Sequence, residues 1–157
     1  MNILTKTSIF LTIMSFMGSV RAENQPDVYL AITRTMHFSA YVHYLNGEII
    51  KVFVPVDGSS TLDSELKNSC SITLGIEQAK QMRNLFSKIN MVSLKGLENK
   101  LSADGSGWVL ALSNGREITE QYFVRNPGEI YEKRKTEPLL KFGEHIWKVC
   151  NMETKLY

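Results

Sequence analysis

The chain has 157 residues, of which 43% are hydrophobic, and it carries 18 Lys and Arg against 16 Asp and Glu. This length and composition suit one globular domain and exclude a low-complexity or disordered chain. The formal charge of +2 lacks the strongly basic balance that is typical of nucleic-acid-binding proteins.

Residues 1–22 have the pattern of a secretory signal peptide. Lys6 supplies the positive start, and a mostly apolar run from Ile9 to Met17 follows it. A membrane-spanning helix needs about 20 apolar residues, roughly twice the length of this run. The pattern therefore favours a cleaved signal over a transmembrane anchor.

The cleavage site is predicted between Ala22 and Glu23. Val20 and Ala22 are the small residues that a signal peptidase accepts three positions and one position before the cut. The mature domain is then residues 23–157, located in the periplasm or secreted. Cleavage removes two basic residues and no acidic one, which leaves 16 of each sign. We therefore expect neither a nucleic-acid partner nor stable membrane insertion of the mature chain.

Strand-forming residues dominate the start of the mature domain. β-Branched and aromatic residues are frequent in Val28–Thr35 and Phe38–Tyr44. Asn46-Gly47 predicts a two-residue type I′ turn, because both positions of that turn need a positive φ. The sequence thus predicts a hairpin over Phe38–Val54.

A polar stretch, residues 57–72, is expected to form an ordered loop or a short irregular strand. A helix is predicted from about Gly75 to Asn90, because apolar residues recur there at helical spacing. Its predicted buried residues are Ile76, Ala79, Met82, Leu85, Phe86 and Ile89.

The remaining elements are a second hairpin and a closing helix. Asn114-Gly115 predicts another type I′ turn within the segment from Trp108 to Val124. The closing helix is expected to begin with Thr136 as its N-cap and Pro138 in its first turn. Its predicted buried residues are Leu139, Phe142, Ile146, Val149 and Cys150. Together these elements predict an α+β fold: an antiparallel sheet built from two β-hairpins, with two amphipathic helices packed on it.

Cys70 and Cys150 are the two cysteines of the chain. In an oxidising compartment, two thiols in one domain favour a structural disulfide. Closing so long a loop stabilises a domain by roughly 4 kcal/mol in the chain-entropy model. A C-x-x-C motif is absent, which argues against a redox pair. Buried free thiols remain the alternative.

The sequence contains no recognisable catalytic or metal-binding motif. His37, His43 and His145 lack metal-ligand spacing with one another or with a cysteine. The G-x-S-x-G pattern is absent, and Ser64 with Lys67 matches S-x-x-K without the companion motifs of penicillin-binding enzymes. We therefore predict no catalytic residue, no cofactor and no metal ligand.

A hydrolase based on paired carboxylates would need two acids a few ångströms apart. Asp57, Asp63, Glu65 and Asp104 lie in predicted loops, where functional sites are frequent. No spacing in the sequence brings two of them together, so solvated turn residues are the preferred interpretation.

The segment Asp104–Leu110 resembles the D-G-[ST]-x-W-x-L stretch of small bacterial periplasmic proteins. Those proteins continue with a hairpin, an R-x-x-P turn and an amphipathic helix, and here Leu139–Val149 corresponds to the helix. The turn Arg125–Pro127 is one residue shorter than in that group. The resemblance covers residues 100–150 and implies a bacterial periplasmic domain with Trp108 as a core anchor. The resemblance implies no particular activity for this chain.

Three interpretations of function remain open. The preferred one is a non-enzymatic module that binds an envelope or secreted protein, such as an inhibitor or an immunity protein. The alternatives are a small periplasmic hydrolase with an unrecognised acid pair or serine site, and an envelope stress or structural protein. A pocket with two acids, or a serine near His43 or His145, would favour the hydrolase. Candidate aromatic anchors for a binding surface are Tyr41, Tyr44, Tyr122 and Tyr131.

Overall fold

The computed structural model describes residues 25–34, 38–56, 65–95, 97, 107–115, 117–125 and 133–153. These residues form six strands and three helices. The strands are β1 (Asp27–Arg34), β2 (Phe38–Leu45), β3 (Ile49–Pro55), β4 (Leu66–Thr73), β5 (Gly107–Ser113) and β6 (Ile118–Arg125). The helices are α1 (Ile76–Ser87), α2 (Met91–Lys95) and α3 (Lys133–Val149).

The six strands form one sheet in the order β4-β3-β2-β1-β5-β6, and every neighbouring pair is antiparallel. Strands β1 to β4 follow one another as a meander. Helices α1 and α2 then return the chain to the other side of β1, where β5 and β6 add to the sheet. The predicted α+β class with an antiparallel sheet is confirmed. The sheet is larger than two hairpins, because β1 and β4 are full members of it.

One face of the sheet is buried under the helices. In β1 the buried side chains are Val28, Leu30 and Ile32, which alternate with less buried neighbours. The same alternation continues in β2, whereas β5 is buried along nearly its whole length. The buried set joins Met82 of α1 and Phe142 of α3 in a single core. Burying a large apolar side chain contributes roughly 1.5–3 kcal/mol, so this face supplies most of the driving force for folding.

The turn between β2 and β3 differs slightly from the predicted one. Asn46 and Gly47 both have a positive φ, 52° and 70°, and the N–H of Glu48 donates to the Leu45 carbonyl at 3.0 Å. The Glu48 carbonyl accepts from the Leu74 N–H at 2.8 Å instead of pairing across the hairpin. The pairing of β2 with β3 therefore begins at Ile49 rather than at Glu48, and the loop has three residues rather than two.

The turn between β5 and β6 is not of type I′, so that prediction was wrong. Gly115 has a φ of 86°, whereas Asn114 does not have a positive φ. Asn114 closes a longer loop in two ways: its N–H donates to the Glu117 carbonyl at 3.3 Å, and its Oδ1 accepts from the Glu117 N–H at 3.1 Å. A register shift between Leu112 and Ser113 accompanies this longer loop.

Helix α1 begins at Ile76 with Gly75 as its N-cap, close to the predicted start, and the Gly75 N–H donates to the Gln78 side chain at 3.2 Å. Ala79 and Met82 are buried, in agreement with the predicted face. Ile76 is 83% exposed, so its assignment to the core was wrong. It is the first residue of the helix and lies in an exposed stretch with Gly75 and Glu77. Upstream of α1, residues 66–73 form an eight-residue strand whose pairing with β3 has a register shift, so the irregular strand rather than the loop is what the structure has there.

Helix α3 begins at Lys133, three residues earlier than predicted. Thr136 is therefore a buried residue inside the helix rather than its N-cap, and Pro138 lies beyond the first turn. Leu140 and Trp147 are also buried, which widens the predicted apolar face. The reason is that α3 contacts α1 as well as the sheet, with the Phe86 and Phe142 rings 5.6 Å apart.

Cys70 and Cys150 form the predicted disulfide, with their Cα atoms 5.7 Å apart. Cys70 lies in β4, an edge strand, and Cys150 directly follows α3. The disulfide therefore ties the edge of the sheet to the end of the last helix, on the face that the helices cover.

Replacing both cysteines by serine, Cys70→Ser with Cys150→Ser, is expected to lower the free energy of unfolding by up to about 4 kcal/mol, because the unfolded chain regains the entropy of an open loop. Urea denaturation measures this difference. Ser69→Ala, an exposed change on the same strand, serves as the control and should have little effect. A loss below about 1 kcal/mol in the double variant would contradict a stabilising role.

Candidate functional site

The sheet face opposite the helices is the candidate functional site, because no described helix covers it. We call it the open face. Its side chains lie at the strand positions between those that point to the core, as the two-residue repeat of a strand requires, and one of them, Ala111, is itself buried. The open face comprises Tyr29, Ala31, Tyr41, His43, Lys51, Phe53, Val109, Ala111, Gln121, Phe123 and Arg125.

Strand register arranges these side chains in two rows across the sheet. The first row runs over five strands and has aromatic side chains at both ends: it comprises Phe53, Tyr41, Ala31, Val109 and Phe123. With strands about 4.8 Å apart, this row is roughly 19 Å long. The second row lies beside it and comprises Lys51, His43, Tyr29, Ala111 and Gln121.

Aromatic rings on the open face contact one another. The His43 ring lies 4.7 Å from Tyr29 in an edge-on arrangement and 5.0 Å from Phe53 in a tilted one. These are the geometries that aromatic pairs prefer over face-to-face stacking. Tyr29, Tyr41, His43, Phe53 and Phe123 are all half-buried. Each ring is thus held by its neighbours while part of its surface stays accessible.

His43 has surroundings that keep its imidazole neutral. Burial lowers its pKa, and the positive charge of Lys51 lowers it further. Lys51 lies directly opposite His43 on the neighbouring strand. A histidine acting as a general base is commonly oriented by a carboxylate, whereas the charged neighbour of His43 is a cation. His43 therefore fits an aromatic contact residue better than a catalytic base.

His145 lies on α3, on the opposite side of the sheet from His43. Burial lowers its pKa, and Lys148 adds to the effect. Its Nε2 atom is buried without a hydrogen-bond partner. The fold does not bring the two histidines together, so they form no joint site. His37 lies outside the described residues.

Two of the four tyrosines predicted as anchors are in the core, which corrects that prediction. Tyr44 is 0% exposed and Tyr122 is 1% exposed. The Tyr44 hydroxyl donates to the Gly47 carbonyl at 2.9 Å, and burial raises the pKa of Tyr44 to about 12. The Tyr122 hydroxyl donates to the Glu120 carboxylate. Both side chains hold the fold together and cannot contact a partner.

Tyr41 does lie on the open face, whereas Tyr131 falls outside the described residues. The sequence predictions overlooked Tyr29 and Phe53, and did not place His43 beside them. The overlooked signal was the alternation of β1, β2 and β3, which places every second residue, these three among them, on the side opposite the apolar core.

The loop acids do not supply a carboxylate pair within the described residues. Asp57, Asp63 and Asp104 lie outside them, as does Ser64, and Glu65 is exposed. In the same part of the chain, no group of three His, Cys, Asp or Glu residues is placed to hold a metal ion.

A cavity of about 310 Å³ lies where the two hairpin turns meet the start of β1. Its lining residues are Gln25, Pro26, Asp27, Asn46, Ser113, Asn114, Gly115 and Thr119. The polar groups of this cavity bond mainly to one another. Asp27 Oδ1 accepts from the Asn46 N–H at 2.9 Å, and Ser113 Oγ accepts from the Gly115 N–H at 3.0 Å. Among the described residues of its lining, Asp27 is the acid and none is a histidine.

Comparison with known proteins gives no significant match: no family model, no curated protein and no solved structure is similar to this chain. None of the helices within the described ranges is long and apolar enough to cross a bilayer. Function therefore has to be inferred from the open face and its surroundings.

Acidification is expected to destabilise the fold through His43 and His145. Their folded-state pKa values lie below the unfolded value of about 6.5, so the unfolded chain takes up protons first. The stabilisation is present above about pH 6.5 and is lost as the pH falls through the folded values. Urea titrations above and below that pH should show the loss, and His43→Gln and His145→Gln should each reduce it. An unchanged pH dependence in both variants would contradict the assignment.

Proposed function

We propose that this protein is an exported, non-enzymatic binding module that contacts a partner protein through the open face. The row of half-buried aromatic side chains, on a sheet face without a described helix, carries this proposal. Tyrosine, phenylalanine and arginine are enriched in protein interfaces, where partly desolvated rings contribute most of the binding energy. Contiguous apolar surface of this kind commonly marks an interaction site.

The size of the open face supports a protein as the partner. Five strands of seven or eight residues present a surface of roughly 19 by 23 Å, or about 440 Å². A standard protein interface buries about 800 Å² on each partner. The open face thus matches the central, desolvated part of such an interface, and the surrounding turns can supply the rim.

The hydrolase interpretation has no comparable support. The open face carries rings and small side chains. Among the described residues that line the cavity at the two hairpin turns, the carboxylate is Asp27, whose Oδ1 accepts from the Asn46 N–H. Glycoside hydrolysis needs two carboxyl groups across the scissile bond, and serine catalysis needs a serine beside a base. The described residues offer neither arrangement, so binding is the function that the geometry supports best.

Export is part of the proposal, with residues 1–22 as the signal peptide and the bacterial periplasm as the destination. The Cys70–Cys150 disulfide supports it, because disulfides persist in oxidising compartments and are rare in the cytosol. A small disulfide-bonded module in that compartment fits an inhibitor of an envelope enzyme or an immunity protein against a secreted toxin.

Processing can be tested by intact mass spectrometry of the protein from a periplasmic extract. The expected chain begins at Glu23, because Ala22 satisfies the small-residue requirement of the peptidase. Ala22→Lys should block the cut and leave the longer chain on the membrane, whereas Glu23→Gln should be processed normally. A chain that retains residues 1–22 in the wild type would contradict the export proposal.

Partner binding can be tested by replacing open-face rings with threonine, which retains strand propensity. Tyr41→Thr and Phe53→Thr should each weaken binding by about tenfold or more, because central aromatic contacts are worth 1.4 kcal/mol or more. A partner recovered with tagged protein from a periplasmic extract would be titrated against each variant by calorimetry.

Matched controls for this test are Ile76→Thr and Val92→Thr, whose side chains are 83% and 80% exposed on α1 and α2. Urea denaturation of every variant separates lost folding from lost contact. Equal losses in the control variants, or full affinity in both open-face variants, would contradict the proposed surface.

A further inference from the structure

Strand β6 is the outermost strand on its side of the sheet within the described residues. The backbone of an edge strand is a template on which a further strand can pair. Building on the function proposed above, we infer that the partner protein adds an extended segment to β6 as a seventh strand. The segment pairs with the backbone of Gln121 and Phe123 and carries β-branched or aromatic side chains at alternate positions.

The direction of the backbone groups can be followed from the opposite edge of the sheet. In antiparallel pairing, successive residues of a strand bond alternately to the neighbour on one side and to the neighbour on the other. The Leu74 N–H donates to the Glu48 carbonyl at 2.8 Å. Even-numbered residues of β3 therefore bond to β4, and odd-numbered residues of β3 bond to β2.

Strand register carries this alternation across to β6. Even-numbered residues of β2 bond to β1, odd-numbered residues of β1 bond to β5, and even-numbered residues of β5 bond to β6. The hairpin turn agrees, because the N–H of Asn114 donates to the Glu117 carbonyl at 3.3 Å. The N–H and C=O groups of Gln121 and Phe123 consequently point away from β5, toward the outer side of the sheet.

The first half of β6 is accessible on both faces of the sheet. Thr119, Glu120 and Gln121 are exposed, and Ile118 is 62% exposed. Glu120 and Gln121 point to opposite faces, so the helices leave room beside this part of the strand as well. An added strand can therefore approach the edge without displacing a described element.

The other edge strand, β4, is less suited to further pairing. It contains Lys67, its pairing with β3 is interrupted by a register shift, and Cys70 ties it to the end of α3. Lysine and irregular pairing are features with which edge strands avoid adding another strand. Strand β6 contains neither lysine nor proline, and its pairing with β5 is regular from Glu120 to Arg125.

An added strand would also continue the open face. The aromatic row ends on β6 at Phe123, which is half-buried. A side chain opposite Phe123 on the added strand extends this row by one strand. Aromatic and β-branched side chains make the most favourable cross-strand pairs with an aromatic residue. This preference defines the chemistry of the segment.

The available area favours a partner protein over a second copy of this chain. The regular part of β6 presents an edge of roughly 20 by 10 Å, or about 200 Å². Two copies paired edge to edge would bury about that area on each chain, whereas a standard interface buries about 800 Å² per partner. A partner that covers the open face and also pairs with β6 buries about 640 Å² of this protein, which approaches the standard size.

The test uses a phage-displayed library of random dodecapeptides and the immobilised mature protein. Gln121→Pro removes an outward N–H, and proline is tolerated on an edge strand where that N–H faces solvent. The library is depleted on Gln121→Pro and then selected on the wild type. The enriched peptides should carry β-branched or aromatic residues at every second position.

Hydrogen exchange and titration then locate the synthesised peptide. The amides of Gln121 and Phe123 should exchange about tenfold more slowly or less in the complex, because their N–H groups become bonded. Gln121→Pro should weaken binding by about fivefold or more, whereas Gln121→Thr keeps the N–H and should bind like the wild type. Ser71→Pro, at an exposed outward position of β4, is the matched control, and urea denaturation verifies that every variant folds.

A parallel selection separates this inference from the proposed function. That library is depleted on the double variant Tyr41→Thr with Phe53→Thr, so that it reports on the open face. Peptides from this selection alone would overturn the added strand and leave the proposed function standing, as would edge peptides that do not slow the exchange of Gln121 and Phe123. Failure of the open-face selection would overturn the proposed function.

Sedimentation of the protein without peptide covers the remaining occupant. The expected species is a monomer, because the edge alone buries too little area for a stable pair. A dimer that Gln121→Pro dissociates would make a second copy the occupant of β6 and overturn the choice of a partner segment.

Discussion

The alternation of side chains along β1 is the constraint on which the rest of the structure depends. Val28, Leu30 and Ile32 point to the helices, and the residues between them point to the opposite face. Because β1 pairs with β2 on one side and with β5 on the other, its register fixes which side chains of those strands share each face. A shift by one residue would exchange the two faces of the strand. The core and the open face are thus two results of one register.

Packing of the helices on one side of the sheet restrains the strands that form the open face. The helices pack on the sheet through large rings, among them Tyr44 and Phe142 at 5.7 Å, and the Cys70–Cys150 disulfide attaches the edge strand to the end of α3. Strands held in this way present their remaining side chains with little freedom. A partner that binds such a surface loses little conformational entropy on the protein's side, which favours affinity for a given contact area.

In the proposed binding mode, the half-buried rings of the open face, such as Tyr41 and Phe53, supply contact area that is easily desolvated. His43 lies beside them, and its pKa is lowered by burial and by the positive charge of Lys51.

Local sequence information determined the α+β class and most of the strands and helices through periodicity, the positive-φ turn at Asn46-Gly47 through residue type, and the disulfide through the presence of two cysteines. It failed for the exposure of Ile76, the burial of Tyr44 and the turn type at Asn114. Each of these depends on the surrounding structure: the position of a helix end, the packing of the core, and the hydrogen bonds between Asn114 and Glu117. Only the tertiary structure decided that β1 lies between β2 and β5, and that Tyr29, Tyr41 and Phe53 meet on one face. The β1–β5 pairing joins residues far apart in the chain, and short-range patterns of hydrophobicity carry no information about which strand lies beside which.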